Sequence, residues 1–208
     1  MDSRPTLVLG TRNEKKREEL AALLAPLNVH LITLSDVADA IEVLEDGDSF
    51  RANAVKKASH QARHLGRWVL GEDSGLSVDA LNGQPGIYSA RYAGPGASDE
   101  ANNRRLVAEL GDTPLAARTA HYVCNTALAD PEGQIRAESE GRCHGRIRFE
   151  PAGEAGFGYD PLFEVIEYHR TFGELGGVVK SAISHRARAL ERLVPQLARL
   201  IRDGAWPA

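Results

Sequence analysis

Residues 6–34 read TLVLGTRNEKKREELAALLAPLNVHLITL, and this stretch decides the fold class. The apolar run at 6–10 predicts a buried strand, and a turn at 11–13 leads into a helical pattern over residues 14–24, which Pro26 stops. A second strand is predicted at 29–34. Strand, turn, helix and strand in this order are typical of a layered α/β fold. We therefore predict an α/β fold, with residues 1–208 forming a single domain.

The composition narrows the class of protein. Hydrophobic residues make up 42% of the chain and charged residues 26%, so it can form a core. The net charge of −4 argues against a general nucleic-acid binder, although a few lysines can still hold a small anionic substrate. The two cysteines, Cys124 and Cys143, form no Cys-x-x-Cys motif, which favours buried thiols in a reducing compartment.

The sequence also bears on location. No apolar run approaches the ~20 residues of a membrane span, and the run near the N-terminus is too short for the core of a signal peptide. We therefore expect a cytoplasmic protein with no membrane partner and no nucleic-acid partner.

Further elements follow from caps, periodicity and turn residues. Helices are predicted over residues 49–65, 98–111 and 184–201. Two long strands are predicted over residues 117–129 and 134–149, joined as a hairpin by the turn Asp130-Pro131-Glu132-Gly133. The glycine-rich stretches at 82–97 and 153–158 are predicted to be loops.

Two adjacent carboxylates, Glu72 and Asp73, end the apolar run 68–71 and precede a Ser-Gly pair. We predict that the strand ends at these acids, with residues 76–81 pairing back as a hairpin. Open α/β sheets place their chemistry at strand tips, and neighbouring carboxylates repel each other unless a cation or a shared proton relieves them. A divalent metal is the usual relief where oxygen ligands gather without His or Cys. A solvated turn is the alternative on these residues alone.

A second candidate follows the first strand and opens the first helix. Backbone N–H groups at a helix N-terminus favour an anion, and a lysine in the first turn adds positive charge. The motif lacks the Gly-x-x-x-x-Gly-Lys pattern of a Walker-type loop. Helix capping by its asparagine and solvation of its lysines are the alternatives. The segment consists of Thr11, Arg12, Asn13, Glu14, Lys15 and Lys16.

Two further segments carry groups suited to a nucleobase. Residues 156–161 surround two aromatic side chains with small residues, which suits base stacking, and Asp160 can accept a hydrogen bond from a ring N–H. The alternative is a tight turn whose aromatics face the core. Lys180, His185 and Arg186 lie near the start of the last helix, where they suit an anion or a purine edge, although each also has an ordinary structural role. Together these segments suit a nucleoside triphosphate with Mg²⁺.

Five motifs in order make the chain similar to a known family, the inosine triphosphate pyrophosphatases, also called dITP/XTP pyrophosphatases. The resemblance covers residues 6–197. The motifs are Thr11, Asn13 and Lys16; Glu72-Asp73-Ser74-Gly75; Pro85 to Tyr92; Gly156 to Pro161; and Ser184-His185-Arg186 with Lys180 ahead of it.

The resemblance implies hydrolysis of ITP, dITP and XTP to the monophosphate and pyrophosphate, which removes aberrant nucleotides from the precursor pool. It also implies Mg²⁺, a homodimer, and an elongated mixed central sheet flanked by helices, with a substrate cleft between two lobes. Asp73 would be the general base and a metal ligand. The implied substrate contacts are Thr11, Arg12, Asn13, Glu14, Lys15, Lys16, Ser74, Phe157, Gly158, Tyr159, Asp160, Lys180, His185 and Arg186. Lys57, one turn along its predicted helix from Asn53, is expected to neutralise the phosphates together with Lys16.

The chain departs from the family pattern at a few positions. Ala52 stands where many bacterial members carry Glu, so Glu72 or Glu45 would hold the metal together with Asp73. Arg12 places a bulky cation beside the phosphate segment. Two alternatives remain open: a pyrophosphatase for ordinary or modified nucleotides, and a nucleotide-binding protein with reduced or lost catalysis.

Overall fold

The computed structural model describes residues 4–207, and a mixed sheet of seven strands organises them. The strands are β1 (Thr6–Leu9), β2 (His30–Thr33), β3 (Val69–Val78), β4 (Thr119–Ala129), β5 (Ile135–Ile147), β6 (Phe163–Val165) and β7 (Arg170–Thr171). Their order across the sheet is β2-β1-β3-β4-β5-β6-β7. Strand β1 is parallel to β2 and β3, whereas β6 is antiparallel to β5 and β7. The predicted α/β fold with a mixed sheet is therefore confirmed.

Four of the five helices within residues 4–207 begin and end close to where the sequence predicts. The five are α1 (Glu14–Leu24), α2 (Phe50–Leu65), α3 (Asp99–Leu110), α4 (Phe172–Ile183) and α5 (His185–Arg202). The side chains of Asn13, Ser49 and Ser98 each accept a backbone N–H of the first turn, as their N-cap positions require. Gly66 ends α2 in the left-handed region, with φ of 61°. Along residues 4–207, no helix combines the length and the apolar character needed to cross a membrane.

Strand β3 corrects one prediction. Glu72 and Asp73 lie inside a continuous strand of 10 residues, and neither a strand tip nor a hairpin at 76–81 is present. Residues 79–81 form a short 3-10 helix instead. The strand continues through the acids because both carboxylates are buried and are paired with cationic side chains from distant segments.

Helix α4 was missed by the sequence analysis. Its segment contains three glycines, and one of them, Gly176, breaks the helical geometry with φ of 75°. The helix nevertheless starts with a capping box in which the side chains of Thr171 and Glu174 each accept the other's backbone N–H. That Thr-x-x-Glu pattern was the available signal.

The chain divides into two compact units. Among the described residues, the first contains 4–73, 124–141 and 186–207, and the second contains 74–123 and 142–185. A single domain over residues 1–208 stays a prediction, as does a cleft between two lobes.

The first unit has an apolar core on each side of its strands. Leu7 and Leu9 pack in one cluster with the buried residues of α1 and α5, whereas Val8 packs in another with those of α2. This alternation is the period of a strand covered by helices on both faces. The second unit has its own core, built around Leu76, Leu106, Tyr122, Phe163 and Phe172.

Candidate functional site

A glycine brings helix α2 close to strand β3 in the first unit. A Cβ atom at Gly71 would lie 2.3 Å from the carbonyl oxygen of Ala54 and 2.7 Å from the amide nitrogen of Ala58. Because only glycine permits this approach, the helix places two side chains against Asp73, which lies two positions along the strand and so on the same face as Gly71. Lys57 Nζ donates to Asp73 Oδ1 at 3.0 Å, and Asn53 Nδ2 donates to Asp73 Oδ2 at 3.2 Å.

Lys57 joins Asp73 to a second carboxylate. Its Nζ also donates to Glu45 Oε2 at 3.1 Å. The loop that carries Glu45 is tied to the same helix, because the Gly47 amide donates to Asn53 Oδ1 at 2.8 Å. Two carboxylate oxygens from separate segments therefore converge on one ammonium group.

Burial and charge together set the ionisation of this pair. Burial raises the pKa of Asp73 above its usual value, although Lys57 and Lys16 act in the opposite direction. Burial opposes the charged form of Lys57, but Asp73 and Glu45 outweigh it and raise the pKa of the ammonium. The contacts of Lys57 therefore favour its charged form, whereas burial favours the protonated form of Asp73.

Glu72 lies beside these groups as a buried anchor for cations. Its side chain is 1% exposed, and its two oxygens accept Lys16 Nζ at 2.9 Å and Arg186 Nη2 at 2.9 Å. Cys124 Sγ also donates to it at 3.4 Å, and burial raises the pKa of that thiol well above its usual range. Arg186, itself 1% exposed, reaches Glu19 with its other amino group. The structure therefore places Arg186 with these acids, and its predicted contact with the substrate stays a prediction.

The phosphate segment at 11–16 has the geometry of a capped helix start. Thr11 Oγ1 accepts the amide of Asn13 at 3.2 Å, and Asn13 Oδ1 accepts the amide of Lys16 at 3.1 Å. Arg12 Nη2 donates to the Ala40 carbonyl at 3.3 Å. Lys15 is exposed. Within the segment, the side chain of Lys16 is directed to Glu72 of β3.

Glu14 and Ser74 are the remaining predicted contacts of this region. Glu14 forms an ion pair with Arg17 at 2.6 Å on the exposed face of α1. Ser74 follows Asp73 within β3 and is partly buried. Neither position tests the predicted role of its side chain.

Asp160 organises the second unit's candidate groups. It is 1% exposed, and its Oδ2 accepts Lys180 Nζ at 2.6 Å and the Phe157 amide at 2.8 Å. Gly156, with φ of 80°, allows this turn, because a Cβ atom there would lie 2.1 Å from Asp160 Oδ2. Lys180 Nζ also lies 4.3 Å from the ring centroid of Phe157. An aromatic ring, a buried carboxylate and a buried ammonium therefore form one cluster.

Hydrogen bonds from neighbouring segments fix the rest of the 157–160 turn. The Gly158 amide donates to Asp99 Oδ2 at 2.8 Å, and its carbonyl accepts Asn103 Nδ2 at 3.0 Å. The Tyr159 hydroxyl donates to the Ser89 carbonyl at 2.8 Å. Ser89 belongs to the Pro85–Tyr92 motif, so this motif supports the turn.

Sequence reasoning missed Tyr122, which contacts two members of this cluster. Its ring stacks on His185 with centroids 4.6 Å apart, and its hydroxyl donates to Asp160 Oδ1 at 3.4 Å. Its place in an alternating strand predicted burial, and nothing in the sequence around it indicated a site. His185 and Arg186, although adjacent in sequence, therefore belong to different clusters.

The cluster of Asp73, Lys57 and Glu45, here called the first cluster, fits a small divalent cation. Glu45 and Asp73 offer hard oxygen ligands, and their convergence on one ammonium group indicates a position for positive charge. Across residues 4–207, no group of three or more His, Cys, Asp or Glu side chains is arranged to hold a metal ion. The two carboxylates of Glu45 and Asp73 suit Mg²⁺, which is commonly held by one or two carboxylates together with phosphate oxygens of a substrate.

Comparison with known proteins shows which family the chain resembles over nearly its whole length. The model of the Ham1 family matches residues 7–196. A curated dITP/XTP pyrophosphatase from Rhodopirellula baltica is 55% identical over 202 residues, covering 97% of each chain. One from Geobacter sulfurreducens is 50% identical over 191 residues, covering 92% of this chain and 96% of the relative. The structure of a HAM1 protein from Coxiella burnetii superposes with a TM-score of 0.83 at 36% identity, covering 96% of this chain and 99% of the other.

Proposed function

This chain belongs to the Ham1 family, and on that premise we propose that it is a nucleoside triphosphate pyrophosphatase. Its substrates are deaminated purine nucleotides, ITP, dITP and XTP, which it hydrolyses to the monophosphate and pyrophosphate. The observation that carries the proposal is the cluster around Asp73, where a buried carboxylate with a raised pKa meets Lys57 and a second acid, Glu45.

The reaction is attack by water on the α-phosphorus, with pyrophosphate as the leaving group. Its transition state spreads negative charge over phosphoryl oxygens, so cations and positioning supply most of the catalysis. Lys16 and Lys57 neutralise the phosphates, and Asp73 accepts a proton from the attacking water. The remaining residues of the 11–16 segment offer N–H and side-chain donors at a helix N-terminus.

Asp73 and Glu45 would hold Mg²⁺. When bound, it polarises the phosphate oxygens and offsets their charge. We assign Glu72 a different task from the metal ligation that its motif suggested. Its contacts with Lys16 and Arg186 support a role in fixing these cations.

The second cluster serves the base. Phe157 offers a ring for stacking, while Asp160, Lys180 and His185 offer polar atoms for the edge of a 6-oxo purine. A site built on such hydrogen bonds rejects a 6-amino purine, because the wrong base leaves buried polar groups unpaired. Arg186 is buried against Glu72 and Glu19, which supports a role in which it does not contact the base itself.

The alternative of a nucleotide-binding protein without catalysis rested on Ala52. It is not favoured, because the contacts among Asp73, Lys57 and Glu45 are formed without an acid at that position.

We further propose that the protein is a homodimer in the cytoplasm, as the family resemblance implies.

A substrate panel tests the function. Purified protein is incubated with ITP, XTP, ATP and GTP, with and without Mg²⁺, and pyrophosphate and inorganic phosphate are measured separately. We expect pyrophosphate from ITP and XTP in the presence of Mg²⁺ and little from ATP. Equal hydrolysis of all four nucleotides contradicts the substrate assignment, and tight ITP binding without any product contradicts the enzymatic one.

A further inference from the structure

Tyr122 on strand β4 contacts two groups that the proposed function assigns to the base. Its ring is nearly parallel to that of His185, with centroids 4.6 Å apart and planes inclined by 12°. Its hydroxyl donates to Asp160 Oδ1 at 3.4 Å. One rigid side chain thus contacts an imidazole through its face and a carboxylate through its tip.

The surroundings of Tyr122 hold it in one place. The residue is 6% exposed, and its ring centroid lies 4.6 Å from that of Phe163 and 6.3 Å from that of Phe172. Burial, and then the nearby Asp160 charge, raises the pKa of Tyr122 well above its usual range. The hydroxyl therefore keeps its proton and acts toward the carboxylate as a donor.

The contact with Asp160 fixes the carboxylate about its own axis. Lys180 Nζ and the Phe157 amide both donate to Oδ2 of Asp160, whereas the Tyr122 hydroxyl donates to the other oxygen, Oδ1. A carboxylate held at both oxygens presents its remaining lone pairs in defined directions. The stack on His185 likewise limits rotation of the imidazole, which sets the direction of its ring nitrogens.

Building on the proposed function, we infer that Tyr122 is a positioning residue for base recognition, which holds Asp160 and His185 in the arrangement that accepts a 6-oxo purine. A 6-oxo purine presents a donor at N1 and an acceptor at O6, whereas a 6-amino purine reverses this pair. Discrimination therefore depends on where the protein's complementary atoms point, and loss of the positioning contact weakens it. Tyr122 would thus affect substrate choice without touching the phosphates.

Two substitutions separate the hydroxyl from the ring. Tyr122→Phe removes the hydrogen bond and keeps the stack, and Tyr122→Leu removes both. We expect KM for ITP to rise about fivefold in the first variant and about tenfold or more in the second. The ratio of kcat/KM for ITP to that for ATP should fall in parallel, while kcat for ITP changes by less than about twofold.

A matched control is Tyr168→Phe, which removes the hydroxyl of a tyrosine of the same unit that is 48% exposed. It should retain the wild-type KM and the wild-type preference for ITP. Circular dichroism and thermal unfolding report the fold of each variant. If Tyr122→Leu does not fold, Tyr122→Phe alone decides the outcome.

Calorimetric binding of IMP separates this inference from the proposed function, because it requires no turnover. Weaker IMP binding in Tyr122→Phe supports the inference even if the wild-type protein releases no pyrophosphate, an outcome that would refute only the function. An active wild type combined with unchanged KM, IMP affinity and ITP preference in Tyr122→Phe overturns the inference. Equal losses for ITP and ATP, carried by kcat, also overturn it, because they indicate general damage to the fold.

Discussion

Lys57 Nζ lies 3.0 Å from Asp73 Oδ1 and 3.1 Å from Glu45 Oε2, so one ammonium group bridges two acids that are 28 positions apart in the chain. Both distances lie within the normal range of hydrogen bonds, and both contacts join opposite charges. This relationship makes the acidity of Asp73 depend on Lys57, and it places a cation where phosphate charge must be neutralised.

Removal of that ammonium should change both rate and pH dependence. Lys57 counteracts the burial that raises the pKa of Asp73, so Lys57→Met should raise this pKa further. Because the reaction needs the unprotonated carboxylate, the acid limb of the kcat/KM profile should move to higher pH. We also expect kcat to fall about 100-fold through lost charge stabilisation. Pyrophosphate release from ITP between about pH 5 and 9 measures both effects.

Lys56→Met is the matched control, because Lys56 is the adjacent lysine of α2 and pairs with Asp46. Its pH profile should coincide with that of the wild type. A Lys57→Met profile without any shift of the acid limb would contradict the coupling.

Asp73→Asn tests the proposed base. The substitution removes the proton acceptor and leaves an amide of similar size, so we expect kcat to fall about 1,000-fold with a folded protein. Asp79→Asn changes an exposed carboxylate that accepts a hydrogen bond from Thr119, and it should retain activity. Thermal unfolding and ITP turnover are measured for both. Near-normal pyrophosphate release from Asp73→Asn would remove Asp73 from the mechanism.

Glu72→Gln distinguishes an anchor from a metal ligand. In the structure Glu72 neutralises the buried Arg186, and loss of a charge from such a pair costs about 3 kcal/mol of unfolding free energy. We expect urea unfolding to report this loss, with the Mg²⁺ concentration for half-maximal activity unchanged. Glu138→Gln, which removes one charge from the exposed ion pair with Arg51, is the control and should change neither quantity. Wild-type stability with a shifted Mg²⁺ requirement would instead identify Glu72 as a ligand.

Gly71→Ala tests how the site is assembled. The new methyl group would meet the backbone of α2 at 2.3 Å, so helix and strand must separate. We expect a loss of about 3 kcal/mol in unfolding free energy, as for overpacked cores, together with reduced activity. Gly177→Ala introduces a methyl group with no atom within 4 Å and should leave unfolding free energy nearly unchanged. Equal stability of the two variants would contradict the close approach of α2 to β3.

Local signals predicted much of the fold. The Asn13 and Ser49 caps and the Gly66 stop placed α1 and α2, because each of these residues acts on the backbone within one turn. The turn at 130–133 is also confirmed, since the Gly133 amide donates to the Asp130 carbonyl at 2.8 Å. Caps and turns depend on residues a few positions apart, so the sequence alone is enough to predict them.

The arrangement of the site depends on distant partners. Glu72 was predicted at the tip of a strand because a Ser-Gly pair follows the two acids. The sequence does not show that Arg186, 114 positions further along the chain, reaches Glu72 and pairs with it inside the strand. The separation of His185 from Arg186 into two clusters has the same origin. The motifs indicated candidate residues, and tertiary contacts determine which of these residues lie together.

The proposed function requires that water attacks the α-phosphorus, and the fate of the oxygen atom from water shows whether it does. ITP is hydrolysed with Mg²⁺ in ¹⁸O-enriched water, and the products are analysed by mass spectrometry. We predict IMP carrying one ¹⁸O atom and unlabelled pyrophosphate. Label in pyrophosphate, or release of IDP with inorganic phosphate, would contradict the assignment of this protein as a nucleoside triphosphate pyrophosphatase.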